Sequence, residues 1–90
     1  WSYGGYMMNW LQGQTKKFKC FASMMGIFDM ESMWGATEEL WFANWDLGGQ
    51  PWNSDLYNKY SPSNFVKNFS TPTLIITGEK DYRVPYTQSI

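Results

Sequence analysis

The sequence predicts an α/β fold: a mostly parallel sheet with helices on both faces. Two kinds of stretch predict it. A helix-period segment begins directly after Ser2, and two apolar, strand-like runs follow at Phe18–Met25 and Thr73–Thr77. The long stretch between those runs reads as helical pieces, not as a hairpin turn. Strands separated by a helical crossover pair in parallel, and the helices then cover the sheet.

The chain opens on Trp1-Ser2-Tyr3-Gly4-Gly5. This is most of a G-x-S-x-G elbow, the tight strand-to-helix turn that presents a serine, with Gly4 as the later glycine and Gly5 extending it. The earlier glycine belongs one position before Trp1, so the sequence is expected to start inside the motif, as a piece of something larger. Gly4 to Gln14 then reads as a helix, with Tyr6, Met7, Trp10 and Leu11 on one face. Its N-terminus beside Ser2 directs backbone N–H groups and the positive dipole end at charge developing there.

Gly13-Gln14-Thr15 and the cluster Lys16, Lys17 and Lys19 read as a solvated exit loop. Phe18 to Met25 is the first strand, ended by Gly26, with Cys20 expected as a small buried residue. From Ile27 to Tyr60 the pattern is irregularly helical. Thr37-Glu38-Glu39 looks like a cap and acidic first turn for Leu40-Trp41-Phe42. Gly48-Gly49-Gln50-Pro51-Trp52 is a turn, Asn53–Tyr60 a short helix, and Ser61-Pro62 a second capped turn. Thr73–Thr77 is a continuous apolar run between Pro72 and Gly78, the pattern of a strand covered on both faces. Gly78–Pro85 is a loop, and a helix starts at Tyr86.

Composition sets the outer bounds. Ninety residues suffice for one small domain and fall short of a typical α/β enzyme. Aromatics reach 20%, with six Trp, six Tyr and six Phe, enough for a core or the lining of a cavity. A net charge of −1 gives no footprint for nucleic acid or an anionic membrane. One cysteine and no histidine exclude an intrachain disulfide, the usual zinc sets, and any Ser-His or Cys-His pair within this segment. No metal or organic cofactor is implied. No run is long enough to span a membrane and no signal peptide is visible.

In parallel sheets the chemistry gathers at the carboxyl ends of strands. Ser2 and Asp81 both sit there: Asp81 lies in Gly78-Glu79-Lys80-Asp81-Tyr82-Arg83-Val84-Pro85, just past the second strand. Acyl transfer needs a nucleophile, a base and an acid that orients the base, and in the α/β-hydrolase order the histidine comes last. Read blandly, Ser2 is only part of a turn, and Asp81 is a turn residue paired with Arg83. Asp29 and Asp46 read as surface or capping residues, and Glu38-Glu39 as a helix first turn. Trp41, Trp45 and Trp52 read as core and lid packing in preference to a sugar-stacking platform.

Trp1-Ser2-Tyr3-Gly4-Gly5-Tyr6-Met7 resembles the elbow of the prolyl oligopeptidase family of serine peptidases. Gly78-x-x-Asp81-x-Arg83-Val84-Pro85 resembles that family's aspartate loop. Ser61-Pro62, Phe69 and Thr71-Pro72 share its layout, so the likeness covers essentially the whole chain. Thr37-Glu38-Glu39-Leu40-Trp41-Phe42 before Gly48-Gly49 most resembles the dipeptidyl peptidase V branch. The resemblance implies an α/β-hydrolase catalytic domain acting on peptides. Ser2 would be acylated and Asp81 would be the triad acid. The Tyr3 backbone N–H would serve the oxyanion hole, with its ring flanking the pocket. Arg83 would bind a substrate carbonyl, Val84 would form a pocket wall, and Phe28 and Trp34 are candidate pocket aromatics.

Under the same resemblance, residues 1–90 are part of one catalytic domain truncated at both ends. The upstream β-propeller and the downstream histidine lie outside it, so the segment alone is expected to be inactive. The implied partner is a peptide substrate. The compartment is secreted or periplasmic for a dipeptidyl peptidase V-like parent, otherwise cytoplasmic; oligomeric state is open. An acylaminoacyl-peptidase or esterase on the same fold is the alternative. A non-catalytic, aromatic-rich binding module is the alternative of another class.

Overall fold

The computed structural model describes residues 1–90. Helix α1 runs over Tyr3–Gln14, strand β1 over Phe21–Met24, α2 over Met30–Ala36, α3 over Leu40–Asp46, α4 over Leu56–Lys59 and β2 over Thr73–Ile76. Short 3₁₀ turns occupy Pro51–Asn53, Pro62–Asn68 and Tyr86–Gln88. The strands pair in parallel, Phe21 opposite Thr73 through Met24 opposite Ile76, with the helical pieces as the crossover. The predicted class is therefore present, in shorter elements. Phe18 to Cys20 lie outside β1, and the helix expected from Tyr86 is a single 3₁₀ turn.

Helix α1 sits directly on the end of β1. Phe21 and Ser23 are buried, and the Ser23 hydroxyl donates to the Gly5 carbonyl at 3.1 Å. At the other end of α1, a Cβ on Gly13 would meet the Phe65 Cβ at 2.6 Å, so the 3₁₀ turn over Pro62–Asn68 also packs against helix backbone. Trp10 fills the space between, 5.2 Å from the Phe65 ring and 5.9 Å from Tyr60. This double anchoring, with glycine at each close approach, fixes where α1 begins and hence where Ser2 sits.

Polar groups, Ser61 and Gln88 of them buried, hold the crossover. Asp29 caps α2, its carboxylate accepting from the Ser32 N–H at 2.8 Å and from the Ser63 hydroxyl at 2.6 Å. The Gln88 side-chain oxygen accepts from the Phe28 and Asp29 N–H groups, both at 2.9 Å. Ser61, 2% exposed, accepts from the Met30 N–H and donates to the Tyr57 carbonyl. An unmade bond at such a site costs the full desolvation of the orphaned group, so these contacts specify the path of an otherwise irregular stretch.

Several expectations are corrected. Leu74, Ile75 and Ile76 are exposed, because these residues neither cover both faces of β2 nor place a neighbour on its outer edge. Cys20 is exposed, because it precedes β1 and is not part of it. Trp41 and Trp45 on α3 and Trp52 in the Pro51–Asn53 turn are largely exposed and form no core, and α3 buries only Ala43. Trp41 nevertheless lines a cavity, and Trp52 packs edge-on against Trp34. Lys16 is more than a solvated loop residue: its ammonium donates to the Asn68 carbonyl and to Ser70 Oγ. No helix is long and apolar enough to cross a membrane.

Candidate active site

Ser2 has φ 55° and ψ −120°, outside the regions open to an ordinary L-residue. A serine at a helix N-cap usually turns its hydroxyl onto the helix N–H groups, in an extended backbone conformation. Ser2 makes no such bond. Its backbone is held from both sides: its N–H donates to the Met24 carbonyl at 3.0 Å, and its carbonyl accepts from the Tyr6 N–H at 3.0 Å. Met25, also at positive φ (39°), turns the chain out of β1, its N–H bonded to the Ile76 carbonyl at 2.8 Å. Strain of this kind costs on the order of 1–3 kcal/mol per residue and persists only where the surroundings impose it.

The surroundings do impose it. A Cβ on Gly5 would lie 2.5 Å from the Met24 carbonyl oxygen, and one on Gly26 would lie 2.4 Å from the Gly5 carbonyl carbon. A Cβ on Gly4 would meet nothing within 4 Å. The close approach therefore falls on Gly5, and not on the motif's own later glycine. The Tyr3 N–H has no acceptor in the structure and sits one residue past the Ser2 hydroxyl at the head of α1. It is the type of donor that stabilises an oxyanion.

Ser2 faces a cavity of about 700 Å³ whose wall is mostly apolar. Met30 and Met33 from α2, Trp41 and Phe42 from α3, and Val84 contribute to it. Tyr3 and Arg83 also line it, while Glu39 and Asp46 add carboxylates. A largely apolar cleft with a few convergent polar groups is the usual form of a substrate site.

Asp81 does not line the cavity. One oxygen of its carboxylate accepts from the Arg83 N–H at 3.1 Å and the Val84 N–H at 2.9 Å. That fixes the turn which aims Arg83 and Val84 at the cavity. The bland reading of Asp81 as a turn residue is thus part of its job, through backbone donors and not through the Arg83 side chain. Its other oxygen accepts no hydrogen bond within these residues.

The structure brings together Ser2, Tyr3, Arg83 and Val84 and leaves Phe28 and Trp34 elsewhere. Phe28 lines a separate cavity of about 250 Å³ and meets the Phe69 ring edge-on. Trp34 stacks edge-on against Trp52 and donates to the Asn44 side chain at 2.8 Å. The aromatic rings on the Ser2 cavity are instead Tyr3, Tyr6, Trp41, Phe42 and Tyr60. Tyr6 donates its hydroxyl to the Tyr60 carbonyl at 2.9 Å. Burial, with the Tyr3 and Tyr60 phenols adding, pushes its pKa up to about 12, so it stays neutral and takes no proton from Ser2.

Sequence reasoning missed Glu39. It was expected in a helix first turn, yet it pairs with Arg83 across the cavity rim, Oε1 to Nη2 at 2.9 Å. That hydrogen bond and its charge hold the guanidinium above its ordinary value, with Glu38 and Asp81 adding to the effect. The partners are 44 positions apart, so no local spacing signals the pair.

A strained serine at the head of α1, an adjacent free backbone N–H and a parallel second strand ending in an aspartate loop define a segment of an α/β-hydrolase. The chain belongs to the prolyl oligopeptidase family, whose sequence profile matches residues 1–90. It is 46% identical to the dipeptidyl-peptidase 5 of Porphyromonas endodontalis, over 99% of this chain and 14% of that protein. It is 42% identical to the dipeptidyl-peptidase 5 of Schizosaccharomyces pombe, again over 99% of this chain and 14% of that protein. Among solved structures it resembles an uncomplexed acylaminoacyl peptidase of Pyrococcus horikoshii at 37% identity and a TM-score of 0.92, over 98% of this chain and 15% of that one. An acylaminoacyl peptidase in complex with Z-Gly-Gly-Phe-chloromethyl ketone matches at 35% identity and a TM-score of 0.88, over 98% of this chain and 14% of that one. The chain thus spans about one seventh of the length of the curated relatives it matches.

Proposed function

We propose that the protein carrying this chain is a serine peptidase that releases dipeptides from peptide N-termini through an acyl-enzyme, and that residues 1–90 are part of its catalytic domain. The observation that carries the reading is Ser2: strained, uncapped, and aimed into an apolar cavity that also holds Arg83. In this mechanism the Ser2 oxygen attacks the scissile carbonyl while a histidine from elsewhere in the parent takes its proton. The oxyanion is held by the Tyr3 N–H, and Asp81 orients the histidine through the oxygen left free by the turn. The histidine then protonates the departing amine as the C–N bond breaks, and water releases the acyl group by the reverse sequence. Arg83 binds the carbonyl of the residue before the one acylated, its fork suited to an oxygen acceptor.

The dipeptidyl-peptidase names of the relatives favour this substrate class. The acylaminoacyl peptidases among the similar structures favour a second one, N-acylated peptides. A small binding module would normally use several alternating antiparallel strands, whereas the two strands of this chain pair in parallel. The test is a substrate panel on the full-length protein: a dipeptidyl arylamide, an acetyl-aminoacyl arylamide and a p-nitrophenyl ester. The expected ranking in kcat/KM puts the dipeptide first. Preference for the acetylated substrate would move the assignment to the second class, and hydrolysis of the ester alone would overturn the peptidase reading.

A further inference from the structure

Three contacts tie the segment before α3 to the loop after β2. The Thr37 hydroxyl donates to the Arg83 carbonyl at 2.7 Å, and the Glu38 N–H donates to the Tyr82 carbonyl at 2.9 Å. The Glu39 carboxylate accepts from Arg83 Nη2 at 2.9 Å. Thr37 is buried and also accepts from the Glu39 N–H at 3.1 Å, which sets where Glu39 starts from. Residues 37–39 therefore grip both the backbone and the side chain of one short segment, and both Glu39 and Arg83 line the cavity that contains Ser2.

Arg83 has a side chain 61% exposed, against 25% for Glu39. An exposed arginine on a loop samples many rotamers, and an exposed ion pair adds little to fold stability. What the pair does supply is an anchor: Nη2 is held by Glu39, while the other guanidinium donors have no acceptor among these residues.

We propose that Glu39 is a positioning residue for substrate binding, holding the Arg83 guanidinium against the cavity wall so that its free donors meet a substrate carbonyl. The proposal rests on the reading of Arg83 as a carbonyl-binding residue. It assigns part of the specificity for an extended acyl side to the segment before α3. Glu39 exchanges no proton and touches no reacting atom.

The test is a double-mutant cycle on the full-length enzyme with Glu39→Gln, Arg83→Gln and the double variant. Active enzyme is counted by fluorophosphonate titration, so misfolded protein does not enter the rates. Glu39→Gln should raise KM for a dipeptidyl arylamide roughly three- to tenfold, with kcat within about twofold, the range of coupling between contacting residues. The same variant should leave a p-nitrophenyl ester unaffected, because the ester offers no second carbonyl. In the Arg83→Gln background the Glu39 change should add nothing. An Arg83→Gln enzyme with raised KM beside an unchanged Glu39→Gln enzyme would overturn the positioning role and leave the carbonyl-binding role standing. An unchanged Arg83→Gln enzyme would remove both. Equal losses on ester and dipeptide in Glu39→Gln would mark a merely structural contact.

Discussion

Gly5 and Gly26 meet backbone against backbone: a β-carbon on either would fall within 3 Å of main-chain atoms at the other's position. The first turn of α1 is thereby pressed onto the end of β1, and the strained Ser2 conformation follows from that contact. Gly4, inside the serine motif itself, has open space. Gly5→Ala and Gly26→Ala should therefore each cost about 1–3 kcal/mol of stability, as overpacking does, and shift the elbow. A displacement near 1 Å at a nucleophile costs on the order of 10²-fold in kcat. Gly4→Ala should be neutral or stabilise by about 0.5–1 kcal/mol, since alanine is the better helix residue. Denaturant midpoints and kcat of the full-length variants check all three, and a Gly4→Ala enzyme more damaged than Gly5→Ala would contradict the contact.

Asp81 invites two readings that one substitution separates. Asparagine at this position retains a side-chain oxygen for the Arg83 and Val84 N–H groups, so the turn survives. It cannot supply the charge that orients and stabilises a protonated histidine. Asp81→Asn should leave the melting temperature nearly unchanged while kcat falls by about 10³–10⁴-fold, the loss seen when a triad acid is made neutral. A variant that melts early and keeps its rate per active site would assign Asp81 to the turn alone.

Tyr6 gives the molecule an alkaline signature. Its folded pKa of about 12 lies above the ordinary 10, so the unfolded chain loses this proton first. Between those values the native state binds more protons than the unfolded state, and stability falls as pH rises. The contribution is whole below pH 10 and fades through about pH 12. Tyr6→Phe should remove that part of the slope, and at neutral pH it should cost about 1 kcal/mol for the lost bond to the Tyr60 carbonyl. Urea midpoints of the full-length pair at pH 8 and pH 11 measure it. A steeper alkaline decline in the phenylalanine variant would reverse the sign.

The parts legible in the sequence are those dictated locally. The turn into α1 at Ser2, the α1 pattern and the order of Ser2 before Asp81 needed only neighbouring residues and spacing, whereas the contact that demands a glycine falls on Gly5 against distant Gly26. The parallel pairing of β1 with β2 followed from the helical crossover between them. What escaped depends on partners distant in the chain. Thr37 resembles a helix cap, yet its hydroxyl goes to the Arg83 carbonyl. The β-branched run in β2 signals a covered strand, and the cover is not among these residues. The pocket aromatics were misplaced for a related reason. Phe28 and Trp34 have partners of their own in Phe69 and Trp52, and tertiary packing alone decides which rings reach the cavity.

The central claim is that Ser2 becomes acylated, and the most direct measurement is covalent capture. The full-length protein, treated with a dipeptidyl diphenyl phosphonate and digested, should show the phosphonyl adduct on the peptide containing Ser2, with one equivalent bound and activity lost in step. Ser2→Ala should bind no label and hydrolyse no dipeptidyl arylamide. An adduct on another serine, or dipeptide release that survives Ser2→Ala, would contradict the claim outright.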